Sequence, residues 1–121
     1  MKVTELRIGN IISLLYDPEK YGVVIALDHC GTVHVSNRDY PDEIRDVVGF
    51  ELTQELLTKF GYETYIYLKG REIRLLFHGK RVTVIIDDHT TYEIKFVHEL
   101  QNLVYINTGQ ELIDTMELLQ Y

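Results

Sequence analysis

The chain has 121 residues, of which 45% are hydrophobic and 26% are charged, values of an ordinary globular protein that exclude a disordered chain. Cys30 is the single cysteine, which excludes a scaffold stapled by internal disulfides. The net charge of −7 disfavours general nucleic-acid binding. The start of the chain lacks the apolar run of a signal peptide, and no apolar stretch reaches the roughly 20 residues of a membrane helix. We therefore expect a single-domain cytoplasmic protein spanning residues 1–121.

Short strands joined by tight turns are predicted for the first third of the chain. Apolar, β-prone or alternating sequence predicts strands over residues 10–16, 21–27 and 32–36. Turn chemistry, including Pro18 and Gly31, predicts turns over residues 17–20 and 28–31. The pattern favours a small antiparallel sheet, and a barrel resembling the SH3-like fold is the preferred arrangement. Residues 37–51 are predicted to be an exposed connection with one helical turn near residues 43–47.

A short helix is predicted after this connection. Thr53 can cap it by accepting a hydrogen bond from a free backbone N–H. Leu52 before the cap and Leu57 after it have the spacing of a hydrophobic staple. Gly61 is the expected left-handed residue at its end.

Alternating residues then predict a four-stranded antiparallel meander over residues 63–68, 72–78, 81–87 and 92–97. Tyr65 and Tyr67 fall on one face of its first strand. Helical spacing predicts a helix over residues 98–107, although the β-branched and aromatic run at 104–106 makes a strand there a rival prediction. Thr108 and Glu111 match a capping box, which predicts a last helix over residues 110–119.

The predicted fold class is therefore α+β. An SH3-like antiparallel sheet occupies residues 1–50, and a helix, a β-meander and a C-terminal helical pair occupy residues 51–121. We expect the two subregions to share one core.

Three sequence blocks occur in a recognisable order: LRIGN at residues 6–10, LTQELLTKFGY at 52–62, and VHELQNL at 97–103 followed by TGQEL at 108–112. Together they resemble a family of small uncharacterised proteins found in Bacteroidetes genomes, their prophages and gut phages. The resemblance spans nearly the whole chain and implies a phage-related or mobile-element context. It implies no activity and no catalytic residue.

The polar block from His98 to Asn102 is the first candidate site. A histidine beside a carboxylate can perform general acid–base chemistry, which makes a small hydrolase around His98 and Glu99 one hypothesis. The alternative, which we favour, is that these side chains satisfy free backbone groups where a strand becomes a helix. The zinc-protease pattern is incomplete, because Asn102 stands where the second histidine would be.

Metal binding and cysteine chemistry are weak alternatives in this sequence. His29, Cys30 and His34 are plausible ligand types, but a second ligand pair is missing. Cys30 would need a basic neighbour to act as a nucleophile, and adjacent residues of a strand point to opposite faces. We predict no metal and no cofactor.

The basic residues Lys69, Arg71, Arg74, Lys80 and Arg81 cluster on one predicted hairpin. With Tyr65 and Tyr67 they could hold a nucleotide or a single strand through phosphate contacts and base stacking. The simpler interpretation is a solvated hairpin face with charges that protect a sheet edge.

The leading functional hypothesis is a non-enzymatic accessory factor of phage or mobile-element origin that binds a protein partner. It rests on the resemblance, the acidic charge, the missing catalytic set and the nine tyrosines, since tyrosine suits interfaces. Homo-oligomerisation is compatible with the same features. The candidate binding residues are Tyr65, Tyr67, Arg71, Arg74, His98 and Asn102.

Overall fold

The structure is a computed structural model that describes residues 2–28 and 30–113, apart from the side chain of Val3. The chain divides into two compact units, one extending to Phe50 and the other comprising Glu51–Ile113. Each contains an antiparallel sheet, so the predicted α+β class is confirmed. The division falls at the predicted boundary of the two subregions, and their sharing one core stays a prediction.

Five antiparallel strands form the sheet of the first unit: β1 (Ile11–Leu14), β2 (Asp17–Leu27), β3 (Thr32–Val35), β4 (Asp42–Glu43) and β5 (Val47–Gly49). The strand order is β4-β3-β2-β1-β5, so the last strand returns to lie beside the first. A 3-10 turn precedes β1 at Val3–Glu5. The sheet encloses an aliphatic cluster made of Leu6, Ile12, Leu14, Val24, Val33, Val35 and Val47.

The LRIGN block forms the turn that leads into β1. The Asn10 backbone N–H donates to the carbonyl of Arg7, and the Asn10 side-chain oxygen accepts from the Arg7 N–H at 2.6 Å. Gly9 adopts a φ of +96°, which a residue without a Cβ reaches readily. This block therefore has a structural role, since its side chains and glycine shape a turn.

The predicted turn at residues 17–20 is wrong, because the chain reverses earlier, at Leu15 and Tyr16. Leu14 pairs directly with Asp17, so Leu15 and Tyr16 form the tip of the hairpin. The register shifts between Ile12 and Leu14. The Ser13 hydroxyl lies 2.9 Å from the Asp17 carbonyl and 2.5 Å from that of Lys20. Pro18, which has no N–H to donate, lies in the part of β2 where the register is shifted, as is usual for a proline in a strand.

Residues 37–51 are also more ordered than predicted. The expected helical turn exists as a 3-10 turn at Ile44–Asp46, but it lies between β4 and β5. Val47 is buried, and the Asp42 side chain is only 8% exposed. The charges in this segment made it look like a solvated connection, whereas the tertiary structure uses part of it in the sheet.

The second unit begins with the predicted helix, α1 (Gln54–Lys59). The Thr53 hydroxyl accepts from the Leu56 N–H at 3.1 Å, and Leu52 and Leu57 are both buried. Gly61 follows with a φ of +88°, as a left-handed stop requires. The capping prediction for this helix is confirmed.

The predicted meander is confirmed as a second sheet in which each strand pairs with the next. Its strands are β6 (Tyr65–Leu68), β7 (Arg71–His78), β8 (Arg81–Ile86) and β9 (Thr90–Ile94). Side chains alternate between a buried and an exposed face, the pattern of a half-covered antiparallel sheet. Ile66, Ile73, Leu75, Val82 and Val84 belong to the buried face.

The helix predicted near the C-terminus is α2 (Val97–Thr108). It runs through residues 104–106, so the rival strand prediction is wrong. Its buried positions are Val97, His98, Leu100, Gln101 and Val104, which recur at helical spacing. Burial of this stripe outweighs the weak β preference of a three-residue run.

The predicted capping box at Thr108 is wrong, because Thr108 belongs to the last turn of α2. Its hydroxyl donates to the Val104 carbonyl at 2.7 Å. Gly109 ends α2 with a φ of +73°, and residues 110–113 are not helical. The remainder of the predicted helix at 110–119 lies outside the described residues. Among the helices that are described, none is long and apolar enough to cross a membrane.

Candidate functional site

A cleft of about 160 Å³ opens on the first unit. Three buried aliphatic side chains of its sheet, Ile12, Leu14 and Val35, line it. Its polar lining residues are Ser13, Tyr16, Asp17, Lys20, Asn37 and Arg38. The cleft is therefore lined mainly by polar and charged residues, in addition to three aliphatic residues that are themselves almost fully buried.

Tyr16 and Arg38 meet on one carboxylate beside this cleft. The Tyr16 hydroxyl donates to Asp42 Oδ1 at 2.7 Å. Arg38 Nε donates to Asp42 Oδ2 at 3.2 Å, and Nη2 donates to Oδ1 at 3.4 Å. Asp42 is a nearly buried residue of β4, so the sheet holds the carboxylate and the carboxylate orients both neighbours.

The guanidinium of Arg38 also lies over the Tyr16 ring, with its Cζ 5.2 Å from the ring centroid. This is within the range of a cation–π contact. Two of the five guanidinium N–H groups point to Asp42, which leaves the Nη1 edge directed away from that carboxylate. Arg38 therefore presents a charged edge in a restrained orientation.

The hydrogen bond to Asp42 raises the pKa of the Tyr16 phenol, and desolvation adds to the effect. The same carboxylate raises the pKa of the Arg38 guanidinium. The phenol therefore stays neutral and the guanidinium stays charged near pH 7. A general acid or base works best with a pKa near the operating pH, so this pair suits binding better than proton transfer.

Gly22 shapes the wall of the cleft, because β2 and the segment after β3 come very close there. A Cβ at this position would collide with Cγ1 of Val35 and lie 2.6 Å from Oδ1 of Asn37. The Asn37 amide donates to the Tyr21 carbonyl at 3.4 Å. A glycine in a strand often marks such a close approach.

Two further charges line the cleft. The ammonium of Lys20 lies 3.9 Å from the Asp17 carboxylate, and the Lys20 side chain is 77% exposed. An exposed pair at this distance contributes little to stability, so Lys20 can turn towards a ligand at low cost. Each of the two cations is thus paired with an acid, Lys20 with Asp17 and Arg38 with Asp42.

The predicted basic hairpin has acidic partners in the same sheet. Arg71 pairs with Asp87 at 2.6 Å and Arg74 with Asp88 at 3.5 Å. Arg81 lies 3.7 Å from Glu93. These carboxylates offset the charges of the three arginines of the predicted cluster.

The structure does bring some predicted binding residues together. Tyr65 stands directly opposite Arg74 in the β6–β7 pairing, and Tyr67 stands opposite Glu72. Both tyrosines are exposed, at 48% and 64% respectively. They form part of the outer face of the meander.

The other predicted residues lie on α2. His98 is buried and stacks on Phe96, with ring centroids 5.9 Å apart. The Glu99 carboxylate accepts the backbone N–H groups of Lys95 and Phe96 at 3.1 and 3.0 Å. Asn102 is partly buried. Glu99 thus caps the start of α2, which is the role that the favoured alternative predicted for a side chain of this block.

Cys30 is exposed, but Asp28 raises the pKa of its thiol, chiefly through a side-chain hydrogen bond. A raised pKa lowers the thiolate fraction and with it the nucleophilicity. His34 lies on β3, and His29 is outside the described residues. No group of three histidine, cysteine or acidic residues within residues 2–28 and 30–113 is placed to hold a metal ion.

Sequence reasoning missed the cleft and the residues Tyr16, Arg38 and Asp42. Tyr16 and Asp42 are 26 positions apart, and only the strand pairing brings them together. Arg38 and Asp42 have i, i+4 spacing, but the intervening Pro41 argues against a helix there. The sequence offered one signal for this site. Arg38 and Asp42 flank an aromatic residue, Tyr40, in the segment that was predicted to be an exposed connection.

Comparison of the chain with known proteins gave no matching family model, no matching curated protein and no matching solved structure.

Proposed function

We propose that the protein is a non-catalytic binding module and that the cleft of the first unit receives a short segment of a protein partner. The observation that carries the proposal is the restrained Arg38 guanidinium in the lining of the cleft. Restraint of a binding group before the ligand arrives reduces the entropy lost on binding.

The size of the cleft supports a peptide over a nucleotide. Small-molecule and cofactor sites have volumes of roughly 300–1,000 Å³, well above the approximate 160 Å³ of this cleft. A cavity of about 150 Å³ accommodates a single benzene ring. The cleft is therefore suited to one side chain of a longer ligand whose remaining contacts lie on the surface around it.

Exposed apolar side chains next to the cleft residues in sequence are consistent with such contacts. Leu15, beside Tyr16 at the hairpin tip, is 62% exposed, and Tyr40, between Arg38 and Asp42, is 79% exposed. Tyrosine and arginine are, with tryptophan, the residues enriched where binding energy concentrates. An aromatic anchor and an arginine in one small region therefore favour a protein partner.

We also propose that the first unit is an SH3-like barrel, and its strand order supports this assignment. In the first unit β5 returns beside β1 after a 3-10 turn, which resembles the way small SH3-like barrels close. With the resemblance to Bacteroidetes and phage proteins, this favours a cytoplasmic accessory factor that works by docking.

The test is selection of a phage-displayed random heptapeptide library against the full chain, followed by binding measurements on synthetic copies of the selected peptides. We expect an Asn37→Trp variant to lose binding, because Asn37 lines the cleft and a bulky ring would fill it. Asp39→Trp is the matched control, since Asp39 is exposed and does not line the cleft. Peptides that bind both variants equally well would contradict the proposed function.

A further inference from the structure

We propose that strand β6 is a docking edge for a second copy of this chain, and that two β6 strands pair antiparallel about a two-fold axis at Ile66. The meander is a four-stranded sheet, and this pairing joins two such sheets into one. The edge belongs to the second unit and is separate from the cleft. The inference therefore goes beyond the proposed function and does not depend on it.

The backbone of β6 carries the first step. Within the described residues, β7 is the one strand that pairs with β6. The Leu75 N–H donates to the Thr64 carbonyl at 2.8 Å, and in an antiparallel ladder the hydrogen-bonded residues alternate along each strand. The N–H and C=O groups of Ile66 therefore face β7, whereas those of Tyr65 and Tyr67 point away from it.

The composition of β6 carries the second step, because the strand lacks the features that usually protect a sheet edge. Its sequence, YIYL, has no charged residue and no proline, and its pairing with β7 has no register shift. Charges, prolines and bulges are common means by which edge strands avoid further pairing. Tyr65 and Tyr67 are both exposed, so the edge is accessible. The opposite edge strand, β9, carries the charged Glu93.

Charge complementarity identifies the occupant as a second copy. Glu63 precedes β6, Lys69 follows it, and both side chains are exposed. Neither forms an ion pair or a hydrogen bond with another described residue. Both lie three positions from Ile66, so an antiparallel pair centred there brings Glu63 of each copy next to the partner's Lys69. The edge is thus complementary to itself, and opposite charges facing each other across strands are favourable.

The same register uses the outward backbone groups of β6. Tyr65 stands opposite the partner's Tyr67, and such a pair exchanges both of its N–H···O hydrogen bonds. The two-fold axis repeats this pair, and the facing rings form aromatic cross-strand pairs, which stabilise antiparallel sheets. A register centred on Tyr65 or Tyr67 would move Glu63 two positions away from the partner's Lys69.

The first experiment measures self-association of the full chain by sedimentation equilibrium. The concentrations extend to about 1 mM, because a contact through one short strand belongs among the small, weak interfaces. We expect a monomer–dimer equilibrium. Glu63→Lys and Lys69→Glu should each weaken the dimer about tenfold, since each variant places like charges opposite each other at two symmetric positions. An equimolar mixture of the two variants should dimerise as the parent does, because every facing pair then has opposite charges.

Glu19→Lys is the matched control for Glu63→Lys. Glu19 is an exposed acid of β2, in the other sheet, and its replacement changes the net charge by the same amount. This variant should dimerise at least as tightly as the parent. Equal weakening by Glu19→Lys and Glu63→Lys would show an effect of net charge alone and would overturn the proposed pairing.

The second experiment tests the backbone contribution with Tyr67→Pro, which removes an outward N–H and should abolish dimerisation. Thr91→Pro is its control on the β9 edge. Because the Asp87 N–H donates to the Glu72 carbonyl, alternation directs the backbone groups of Ile85 towards β7. Those of Thr91, which stands opposite Ile85, therefore point outwards. Thr91→Pro should leave dimerisation intact. The charge variants at exposed positions decide the question even if a proline variant fails to fold.

A chain that stays monomeric at every concentration would overturn the inference. A dimer that both charge variants leave unchanged, or that their mixture fails to restore, would overturn it as well. If the chain is monomeric and Tyr67→Pro blocks peptides from the library selection, the edge receives a strand of a partner protein instead of a second copy. Asn37→Trp tests the cleft separately, so failure of this inference leaves the proposed function standing.

Discussion

The guanidinium of Arg38 lies over the ring of Tyr16, and the two side chains donate hydrogen bonds to the same carboxylate, that of Asp42. One nearly buried acid thus orients an aromatic ring and a cation that come from different parts of the chain. This relationship explains how a small sheet with a modest core can present a restrained charged group. In the second unit, by contrast, each arginine of the β7–β8 hairpin pairs with an acid of its own.

Gly22→Ala should lower the free energy of unfolding by about 1–3 kcal/mol, the usual effect of an extra carbon in a packed site. The added methyl group would collide with Val35 and press on Asn37. Urea denaturation measures the change. Val35→Ala removes the colliding atom, so the double variant should be more stable than the sum of the two single effects. Strict additivity would contradict the close approach at Gly22.

Asp87 should contribute to the loss of folding stability at acidic pH. Arg71 lowers the pKa of its carboxyl, and the backbone N–H of Glu72 adds to the effect. Because the folded pKa lies below the unfolded one, the stabilisation is complete above the unfolded pKa. It is lost as the pH falls through the folded pKa.

We therefore expect Asp87→Asn to flatten the decrease in stability between neutral and strongly acidic pH, measured by urea denaturation at several pH values. Glu63→Gln changes an exposed acid of the same unit and serves as the control. A pH dependence of the Asp87→Asn variant identical to that of the parent protein would contradict this role.

Asp88 has a positive φ, a backbone conformation that is unfavourable for most residues other than glycine. Asp87 and Asp88 form the centre of the β8–β9 turn with φ values of +54° and +60°, the geometry of a type I′ turn. The Asp88→Gly variant should be more stable than Asp88→Ala by about 1 kcal/mol, because alanine is strained in the left-handed conformation. Both variants lose the same contact with Arg74, so their difference isolates the backbone effect.

The comparison is made by thermal or urea denaturation of Asp88→Gly and Asp88→Ala. Thr83, within strand β8, provides the reference site. There the order should reverse, because glycine weakens a strand interior by roughly 0.5–1 kcal/mol relative to alanine. The same order at both positions would argue against strain at Asp88.

Glu99→Ala should destabilise the second unit by about 1 kcal/mol, the usual effect of losing a helix cap. Its carboxylate accepts two backbone N–H groups at the start of α2. Glu99→Gln keeps an acceptor oxygen and should lose less stability. Neither variant should alter peptide binding, which is measured alongside the unfolding free energy. A change in affinity with unchanged stability would reopen a functional role for this block.

Local signals in the sequence were sufficient for several elements. Thr53 and Gly61 mark the two ends of α1 because capping involves groups only a few residues apart. The meander was predictable because alternation and turn residues are likewise local. Helical spacing from Val97 to Val104 predicted α2, and its buried positions agree with that spacing.

Other features depended on contacts between distant residues. Whether the chain turned at Leu15 or after Asp17 was decided by pairing between β1 and β2 and by the Ser13 hydroxyl, which reaches carbonyls four and seven positions away. The segment before β5 looked like an exposed loop because of its charges. Pairing of β4 with β3 buries Asp42, so one of those charges becomes a hydrogen-bond acceptor for Tyr16 and Arg38.

The sequence by itself thus determined the α+β class, the capped helix, the meander and the structural role of Glu99, because each depends on short-range hydrogen bonding or on burial with a fixed period. The tertiary structure alone decided the candidate site. Tyr16, Arg38 and Asp42 carry no local motif, and their chemistry arises from a hairpin tip and a later strand being brought to one place.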